Sequence, residues 1–419
     1  MSDLLFLAGG ESVERYGTVV WKQSTAQDNA ATFTRSGTVG TYIGGSGYLL
    51  NTDADIPRVQ WLDRDEDGDT DTAYLNLESG HTNLVGNDNI STGWTDGGTS
   101  TTVTTGVADP ANGTGAYSIV GPATANSGRY QAMSFTASSP RCATFVVKEH
   151  THPSSGNQVL GIYDSTAAAW RLKLDITAWS SGKPTITATT GTHLGTHYVG
   201  QGFWAVYGRT TSVTHTNTNR AQIYSNEAAS AGTITVYRVN VFDSKMPLFS
   251  VLDASQVLNA ETWYADFVQP PCEMTVYVKG IEHGAADSGI AMGLVYIGNA
   301  ANTGARFAIQ STSSVGTYRV SHDNGTDSVV KNASSAITPG QEYELRAVLS
   351  ADGSVAIGQS IAGATETVET STTANALPTA WSDTRLYINT RGTASRAVSL
   401  IRSVKVARGT KTMREMRSL

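Results

Sequence analysis

The chain has 419 residues, of which 39% are hydrophobic and 16% charged, and its formal net charge is -7. This is enough apolar material for two or three domain cores, while the charge content is low for a helical cytosolic enzyme. The acidic balance offers no basic field for a phosphate backbone, which argues against nucleic acid as a partner. With 2 Cys a disulfide scaffold is not expected, and no apolar run reaches the length of a membrane span.

The N-terminal sequence has a short apolar run at residues 4–8 with no positively charged segment before it. It therefore lacks the pattern of a secretory signal. We expect the protein to fold in the reducing cytoplasm of the cell that makes it. Any function outside that cell would follow release by another route, such as lysis.

Residues 1–79 differ in pattern from the rest of the chain. Strands are predicted at 18–21, 42–50, 59–62 and 73–77. These strands are too few to close a core of their own. We interpret the region as an N-terminal docking segment that packs on neighbouring proteins.

An acidic run inside this segment has oxygen ligands at alternate positions, as a calcium loop requires, with Gly68 at the sixth place. The twelfth place is Tyr74 instead of a bidentate Glu, and the flanking sequences favour strands over helices. The alternative is an acidic hairpin turn in water. The candidate calcium ligands, for the only cofactor that the sequence suggests, are Asp63, Asp65, Asp67, Asp69 and Asp71.

Two longer regions follow, at 80–246 and 247–408, and both alternate short β-branched or aromatic runs with Gly, Ser, Asn and Asp. Such runs are typical of strands joined by turns. In the first region the strands are predicted at 143–148, 158–163, 170–174, 203–207, 221–224 and 233–242. The helix candidates are short, at 12–16 and 250–257. A short basic tail, 409–419, ends the chain.

An internal repeat links the two regions. Several stretches of the first recur, altered, in the same order in the second. We therefore predict an all-β protein of two tandem β-sandwich modules, jelly-roll or concanavalin-like, which use one strand order twice and match Phe145 with Val276 or Tyr277. The paired stretches are 140–150 with 271–279, 161–163 with 293–296, 170–172 with 306–309, 202–209 with 340–346, and 236–242 with 400–406.

A series of short motifs resembles the leader of tailed-bacteriophage virion surface proteins, which include head-spike, decoration and tail-fibre proteins. The motifs are 32–42 (TFTRSGTVGTY), 47–50 (GYLL), 56–59 (IPRV), 75–78 (LNLE) and 82–84 (TNL). The resemblance covers residues 30–245 and implies that a carbohydrate-binding-module-like jelly roll follows the leader. The second module looks more like a laminin-G or concanavalin-like sandwich. The chain departs from the leader pattern at residues 37–39 and at His81, where the family favours Arg.

Aromatic residues are the candidate glycan contacts, because the C–H faces of a sugar ring stack on Trp or Tyr. We select Trp179, Trp94 and Tyr198, and Trp179 is favoured by the loop-like Ser-Ser-Gly after it. Trp204 is assigned to the core because apolar residues flank it. The other aromatic residues considered are Trp170, Trp263, Tyr296 and Trp381.

No nucleophile elbow, phosphate loop or zinc-protease spacing is present, although paired glycosidase carboxylates leave no local motif. His150 and His152 are two apart, as a metal site could begin, but without matching ligands we interpret them as solvent-exposed loop residues. Cys142 and Cys272 are assigned equivalent strand positions as small buried fillers.

From these patterns we expect a non-enzymatic structural protein of a tailed-phage virion: a capsid decoration or spike protein, or a tail-fibre or baseplate component. Its partners would be other virion proteins, further copies of itself in a homotrimer, and host-surface glycans. The alternatives are a glycan-active enzyme or its carbohydrate-binding accessory module, and a bacterial adhesin.

Overall fold

The computed structural model describes the following residues: 4–9, 31–34, 40–43, 49–52, 58–62, 72–76, 81–135, 140–211, 214–242, 251–255, 257–258, 262–267, 270–282, 293–298, 304–312, 314, 316–383, 385–388 and 399–418. Of the strands before residue 82, and of several short later stretches, only the backbone is described.

The described residues form antiparallel strands and one short helix, which confirms the predicted all-β class. The early strands are β1 (Leu4–Gly9), β2 (Ala31–Thr34), β3 (Gly40–Ile43), β4 (Leu49–Thr52), β5 (Arg58–Leu62), β6 (Thr72–Asn76) and β7 (His81–Thr82). Next come β8 (Thr95–Asp96), β9 (Thr102–Val107), β10 (Ala116–Gly121), β11 (Ser127–Met133), β12 (Cys142–Thr151), β13 (Gln158–Asp164), β14 (Ala169–Ser180), β15 (Lys183–Thr190), β16 (Thr192–Gly200), β17 (Phe203–Arg209), β18 (Asn219–Asn226) and β19 (Gly232–Phe242). The last are β20 (Val257–Leu258), β21 (Thr262–Asp266), β22 (Met274–Glu282), β23 (Gly293–Gly298), β24 (Arg306–Ser311), β25 (Tyr318–Asp323), β26 (Ser328–Asn332), β27 (Glu342–Leu349), β28 (Ser354–Ile361), β29 (Thr367–Ala374), β30 (Arg385–Ile388) and β31 (Ser399–Arg408), followed by α1 (Met413–Ser418).

The first sandwich consists of two six-stranded sheets. Sheet S1 has the order β16-β17-β12-β19-β10-β9, and sheet S2 has the order β15-β14-β13-β18-β11-β8. Alternation sets the packing: Ala143, Phe145 and Val147 of β12 point into the core between the sheets. Cys142 and Val146 on the opposite face of β12 are also fully buried, which explains why this strand reads as an almost continuous apolar run.

The second sandwich also consists of two sheets. Sheet S3 has the order β29-β28-β27-β22-β31-β6-β5, with β1 also paired to β31, and sheet S4 has the order β2-β21-β30-β23-β24-β25-β26. Its core includes Val276 and Val278 of β22. Outside both sandwiches, β3 pairs with β4 and β7 pairs with β20.

The strands of residues 1–79 join the second sandwich instead of forming a separate region. β1, β5 and β6 extend S3, and β2 is the edge strand of S4. The physical reason is that a few short strands cannot bury a core by themselves. They must therefore join the sheet and core of a larger unit. The expectation that this segment also packs on other proteins stays a prediction, as do the module boundaries.

The two sandwiches use the same strand order, which confirms the repeat. The order β17-β12-β19 in S1 matches β27-β22-β31 in S3, and β15-β14-β13-β18-β11 in S2 matches β25-β24-β23-β30-β21 in S4. The hairpin β28–β29 is an addition in the second copy. Val276 lies in the core, as Phe145 does, whereas Tyr277 lies on the outer face, so Val276 is the counterpart of Phe145.

The two cysteines are not equivalent, contrary to expectation. Cys142 lies inside β12 and is 0% exposed, whereas Cys272 precedes β22 and is half-buried against the second core. Burial raises the pKa of the Cys142 thiol to about 12. Cys142 therefore behaves as a small apolar filler, as predicted.

An apolar cluster joins the two sandwiches on the outer face of S1. Phe203 and Val146 from S1 pack in one group with Ile281 and Leu400 from S3. The outer face of S1 is thus covered by the second sandwich. The outer face of S2 lies on the opposite side of the first sandwich and remains free of this contact.

The basic C-terminal tail packs on the second sandwich through the short helix α1. Met413 and Met416 of α1 are buried against Tyr277 on the outer face of S3. The Arg417 guanidinium lies 2.6 Å from a Glu344 carboxylate oxygen, so its charge is internally compensated. Glu415 accepts hydrogen bonds from the backbone nitrogen and hydroxyl of Thr412 and closes the first turn.

The other predicted helices are not found. Residues 12–16 lie outside the described residues. Residues 251–253 have no regular structure, 254–255 form a turn and 257–258 a strand, so the helix at 250–257 is wrong. Among the described residues, no helix is long and apolar enough to cross a membrane.

Candidate functional site

The predicted calcium ligands, Asp63 to Asp71, lie outside the described residues. Within the described ranges, no group of three or more His, Cys, Asp or Glu side chains could hold a metal ion. His150 contacts the Thr151 hydroxyl, and both ring nitrogens of His152 lie 3.0 Å from backbone carbonyl oxygens.

Trp94 is placed in the core of the first sandwich. Its side chain is 5% exposed, and its indole N–H donates to the Asn87 carbonyl at 2.8 Å. Both faces of the ring are covered by protein, so the prediction that Trp94 contacts a glycan does not fit its position. The hydrogen bond to the Asn87 carbonyl holds the ring inward.

Trp179 and Tyr198 lie at one end of the first sandwich and are both partly exposed. The indole N–H of Trp179 donates to the Gln158 side-chain oxygen at 2.8 Å. The Tyr198 ring meets Trp204 at 5.3 Å, and Lys183 lies over the same indole at 5.6 Å. Trp204 is 7% exposed, which confirms its assignment to the core. Glycan contacts at Trp179 and Tyr198 stay predictions.

A second group of aromatic side chains lies on the outer face of S2. Strand pairing arranges this face in rows across β11, β18, β13 and β14, because paired residues of antiparallel strands share a face. The first row is Ala132, Arg220, Tyr163 and Trp170. The second row is Tyr130, Gln222, Gly161 and Lys173, and the third is Gly128, Tyr224, Val159 and Asp175.

Three partly exposed rings form the centre of this face. The Trp170 ring meets Tyr163 at 5.3 Å and Tyr224 at 5.9 Å, both edge to face. Gly161 makes room for the indole, since a Cβ there would lie 2.9 Å from a Trp170 ring carbon. These T-shaped contacts hold the rings in fixed orientations, so the aromatic surface is preformed.

Arg220 borders these rings on one side. Its guanidinium lies over the Tyr130 ring at 4.2 Å, in the geometry of a cation–π contact. Arg220 forms no salt bridge to a carboxylate among the residues that the structure describes. The residue is partly exposed, so its N–H groups can be reached by a ligand.

Polar side chains complete the face. Gln222 is 2% exposed, and its side-chain oxygen has no hydrogen-bond partner within the described part of the chain. On the other side, the Lys173 ammonium lies 2.6 Å from Glu227 and 3.2 Å from Asp175. Burial raises the pKa of Tyr224, with the Tyr163 hydroxyl adding to the effect, so the Tyr224 hydroxyl stays protonated at neutral pH.

Such a face can bind a sugar but contains no obvious reacting pair. Ring faces provide stacking, and the partly exposed Arg220 and Glu227 provide a hydrogen-bond donor and an acceptor. From the sequence, Trp170 was among the aromatic residues considered but was not selected, and Arg220 was not recognised. The available signal was the alternation in β18, where Arg220, Gln222 and Tyr224 alternate with the buried Ala221 and Ile223.

Comparison with known proteins adds little. No protein-family model and no curated protein matches the chain. Among solved structures, the chain is similar to the CBM40 module of a Ruminococcus gnavus IT-sialidase bound to α2,3-sialyllactose, at 11% identity and a TM-score of 0.28, covering 36% of this chain and 82% of that one. It is also similar to domains LG4-5 of the mouse laminin α1 chain, at 11% identity and a TM-score of 0.24, covering 69% of this chain and 87% of that one. Likenesses at this level carry no functional argument, and the β-sandwich class rests on the strand pairing itself.

Proposed function

We propose that this protein binds glycans without cleaving them, through the outer face of sheet S2. The observation that supports this most directly is the preformed array of Tyr163, Trp170 and Tyr224 beside Arg220. A pyranose ring packs its C–H face on an aromatic ring while its hydroxyls take hydrogen bonds from the polar border. The position of S2 on the far side from the second sandwich leaves room for an extended polysaccharide.

The setting proposed for this binding is the surface of a tailed-phage virion. Its support is the sequence resemblance of residues 30–245 to virion surface proteins. A homotrimer, and many copies on one particle, would convert weak single-site affinity into firm attachment. An accessory module of a glycan-active enzyme would use the same face, and release of reducing sugar from a bound polysaccharide would favour that alternative.

A glycan array probed with the purified full chain tests the binding face. The array should contain neutral and acidic oligosaccharides of bacterial surfaces. We expect the change Trp170→Ala to weaken every positive signal roughly 2- to 10-fold per sugar stacked, since an aromatic contact contributes about 0.5–1.5 kcal/mol. Trp170→Phe, which keeps a ring, should retain most of the binding.

The variant that tests the alternative site is Tyr198→Ala, which removes a partly exposed ring at the end of the same sandwich. If Tyr198→Ala abolishes binding and Trp170→Ala does not, the site lies at the end of the sandwich and the S2 face is excluded. A wild-type chain that binds no glycan on the array contradicts the proposed function itself. Melting temperatures of all variants establish that each one folds.

A further inference from the structure

The internal repeat places an arginine over a tyrosine at the same register in both sandwiches. In the first, Tyr130 pairs with Gln222, and Arg220 two residues earlier lies over the Tyr130 ring at 4.2 Å. In the second, Tyr264 pairs with Tyr387, and Arg385 two residues earlier lies over the Tyr264 ring at 4.5 Å.

The second sandwich supplies its arginine with a carboxylate from the same chain. Asp383, two residues before Arg385, lies 4.0 Å from the guanidinium. The same carboxylate accepts a hydrogen bond from the Tyr387 hydroxyl at 3.1 Å. The Asp383 carboxylate therefore lies beside both the Tyr387 hydroxyl and the Arg385 guanidinium.

The first sandwich lacks this carboxylate. The residue two before Arg220 is Thr218, a neutral and exposed side chain whose hydroxyl contacts Thr216 at 3.0 Å. Several other partly buried cations of this sandwich have a carboxylate partner, for example Arg171 with Asp164 and Lys173 with Glu227. Arg220 differs from these cations because its guanidinium lies over the Tyr130 ring, and Tyr163 is its neighbour in the same row.

We propose that the S2 face recognises an acidic sugar, whose carboxylate binds Arg220 in the place that Asp383 takes in the second sandwich. This inference rests on the proposed glycan-binding function and specifies its ligand class. A planar guanidinium held against a tyrosine ring presents parallel N–H groups, which match a carboxylate better than a hydroxyl. The ring of the same sugar then falls beside Tyr163 and Trp170.

The equivalent face of the second sandwich does not offer a second site. In the matching register, Gly298 and its pair partner Arg306 take the places of Tyr163 and Trp170, so the aromatic surface is missing there. Together with the internal Asp383, this predicts one acidic-sugar site per chain.

The test measures binding of tetragalacturonate to the full chain by calorimetry, with the carboxyl-reduced tetrasaccharide as the neutral comparison. The decisive variant is Thr218→Asp, which places an internal carboxylate where the second sandwich has Asp383. Thr218→Asn is the matched neutral control of the same shape. We expect one equivalent bound by wild type, a loss of about 10- to 100-fold in Thr218→Asp, and affinity near wild type in Thr218→Asn.

Four results would overturn the inference. One is equal affinity of wild type for the acidic and the carboxyl-reduced tetrasaccharides, and another is equal affinity of Thr218→Asp and Thr218→Asn for tetragalacturonate. The third is the absence of tetragalacturonate binding by wild type. In each case the proposed function survives if the binding of neutral glycans on the array is still weakened by Trp170→Ala. If that binding does not depend on Trp170, the proposed function fails together with this inference. A sulfated tetrasaccharide that binds in place of tetragalacturonate would assign Arg220 to sulfate esters and also overturn the carboxylate assignment.

Discussion

Asp164 holds together one end of the first sandwich, and we expect its replacement by Asn to be strongly destabilising. Its side chain is 0% exposed at the end of β13. It accepts hydrogen bonds from the Arg171 guanidinium at 2.9 and 3.2 Å, from the Thr216 hydroxyl at 2.6 Å and backbone N–H at 3.1 Å, and from the Ala167 N–H at 3.1 Å. The carboxylate thus links the turn after β13, strand β14 and the segment that leads into β18.

The magnitude follows from what the substitution leaves behind. Asn has one acceptor oxygen in place of two and no charge, so the Arg171 guanidinium, whose side chain is 15% exposed, loses its ion-pair partner. Breaking a buried pair in this way costs about 3–5 kcal/mol. At roughly 2–4 °C per kcal/mol for a domain of this size, Tm of the first sandwich should fall by about 6–20 °C.

The pH dependence provides a second, independent readout. Burial alone would raise the pKa of Asp164, but the hydrogen bonds from Thr216, Ala167 and Arg171 outweigh it and lower the pKa below the ordinary value. A lowered folded-state pKa stabilises the protein above the pKa of the unfolded chain, near 4, and this stabilisation is lost as the pH falls below it. The Tm of wild type should therefore drop below pH 4 more steeply than the Tm of Asp164→Asn.

Scanning calorimetry between pH 3 and 7 measures both effects. Thr216→Val is the graded comparison, since it removes one charged hydrogen bond, worth about 1.5–3 kcal/mol, and leaves the ion pair with Arg171. A Tm change of less than about 2 °C in Asp164→Asn at pH 7 would refute the reasoning on magnitude. Equal acid slopes in wild type and variant would refute the reasoning on protonation.

Three further predictions follow from local geometry. In the native protein at pH 8, iodoacetamide should label Cys272 and leave Cys142 unmodified, because Cys142 is buried and its pKa is about 12. Mass spectrometry before and after unfolding in urea measures the labelling of each cysteine. Gly353→Ala should lower Tm well beyond Gly363→Ala: both have positive φ, but a Cβ at Gly353 would lie 1.4 Å from a carbonyl oxygen, whereas Gly363 has open space. Met416→Ala should cost about 2–5 kcal/mol of docking energy for α1, seen as faster amide exchange in that helix with sheet exchange unchanged.

The sequence predicts the repeated strand order of this fold better than it predicts which distant strands complete each sheet. The match of Phe145 with Val276 could be predicted because the alternation of apolar and polar residues shows which face of a strand lies in the core. The pairing of β1 with β31 had no such signal, because backbone hydrogen bonds between distant strands leave no trace in local composition. The expected docking region was therefore separated from the sheet that it completes.

The type of candidate site could be predicted from the sequence, but its position on the fold could not. Aromatic residues were expected to bind glycans, and loop-like neighbours favoured Trp179, but Trp94, which was selected with it, is buried. Arg220 and Trp170 become neighbours of Tyr163 only through the register of three strands. Register depends on pairing partners that a single strand does not specify.

The pairing of β1 with β31 has a consequence for the order of folding. The first sandwich is continuous in the chain from β8 to β19, so its sheets can form while later residues are still being synthesised. Sheet S3 joins Leu7 to Lys405 and Leu75 to Ile401, so its final strands can pair only after almost the whole chain has left the ribosome. Loop closure over such sequence distances is slow. During synthesis, β1 and the hairpin of β5 and β6 must wait for β31, and the first sandwich, already folded, separates them in the chain from this last partner.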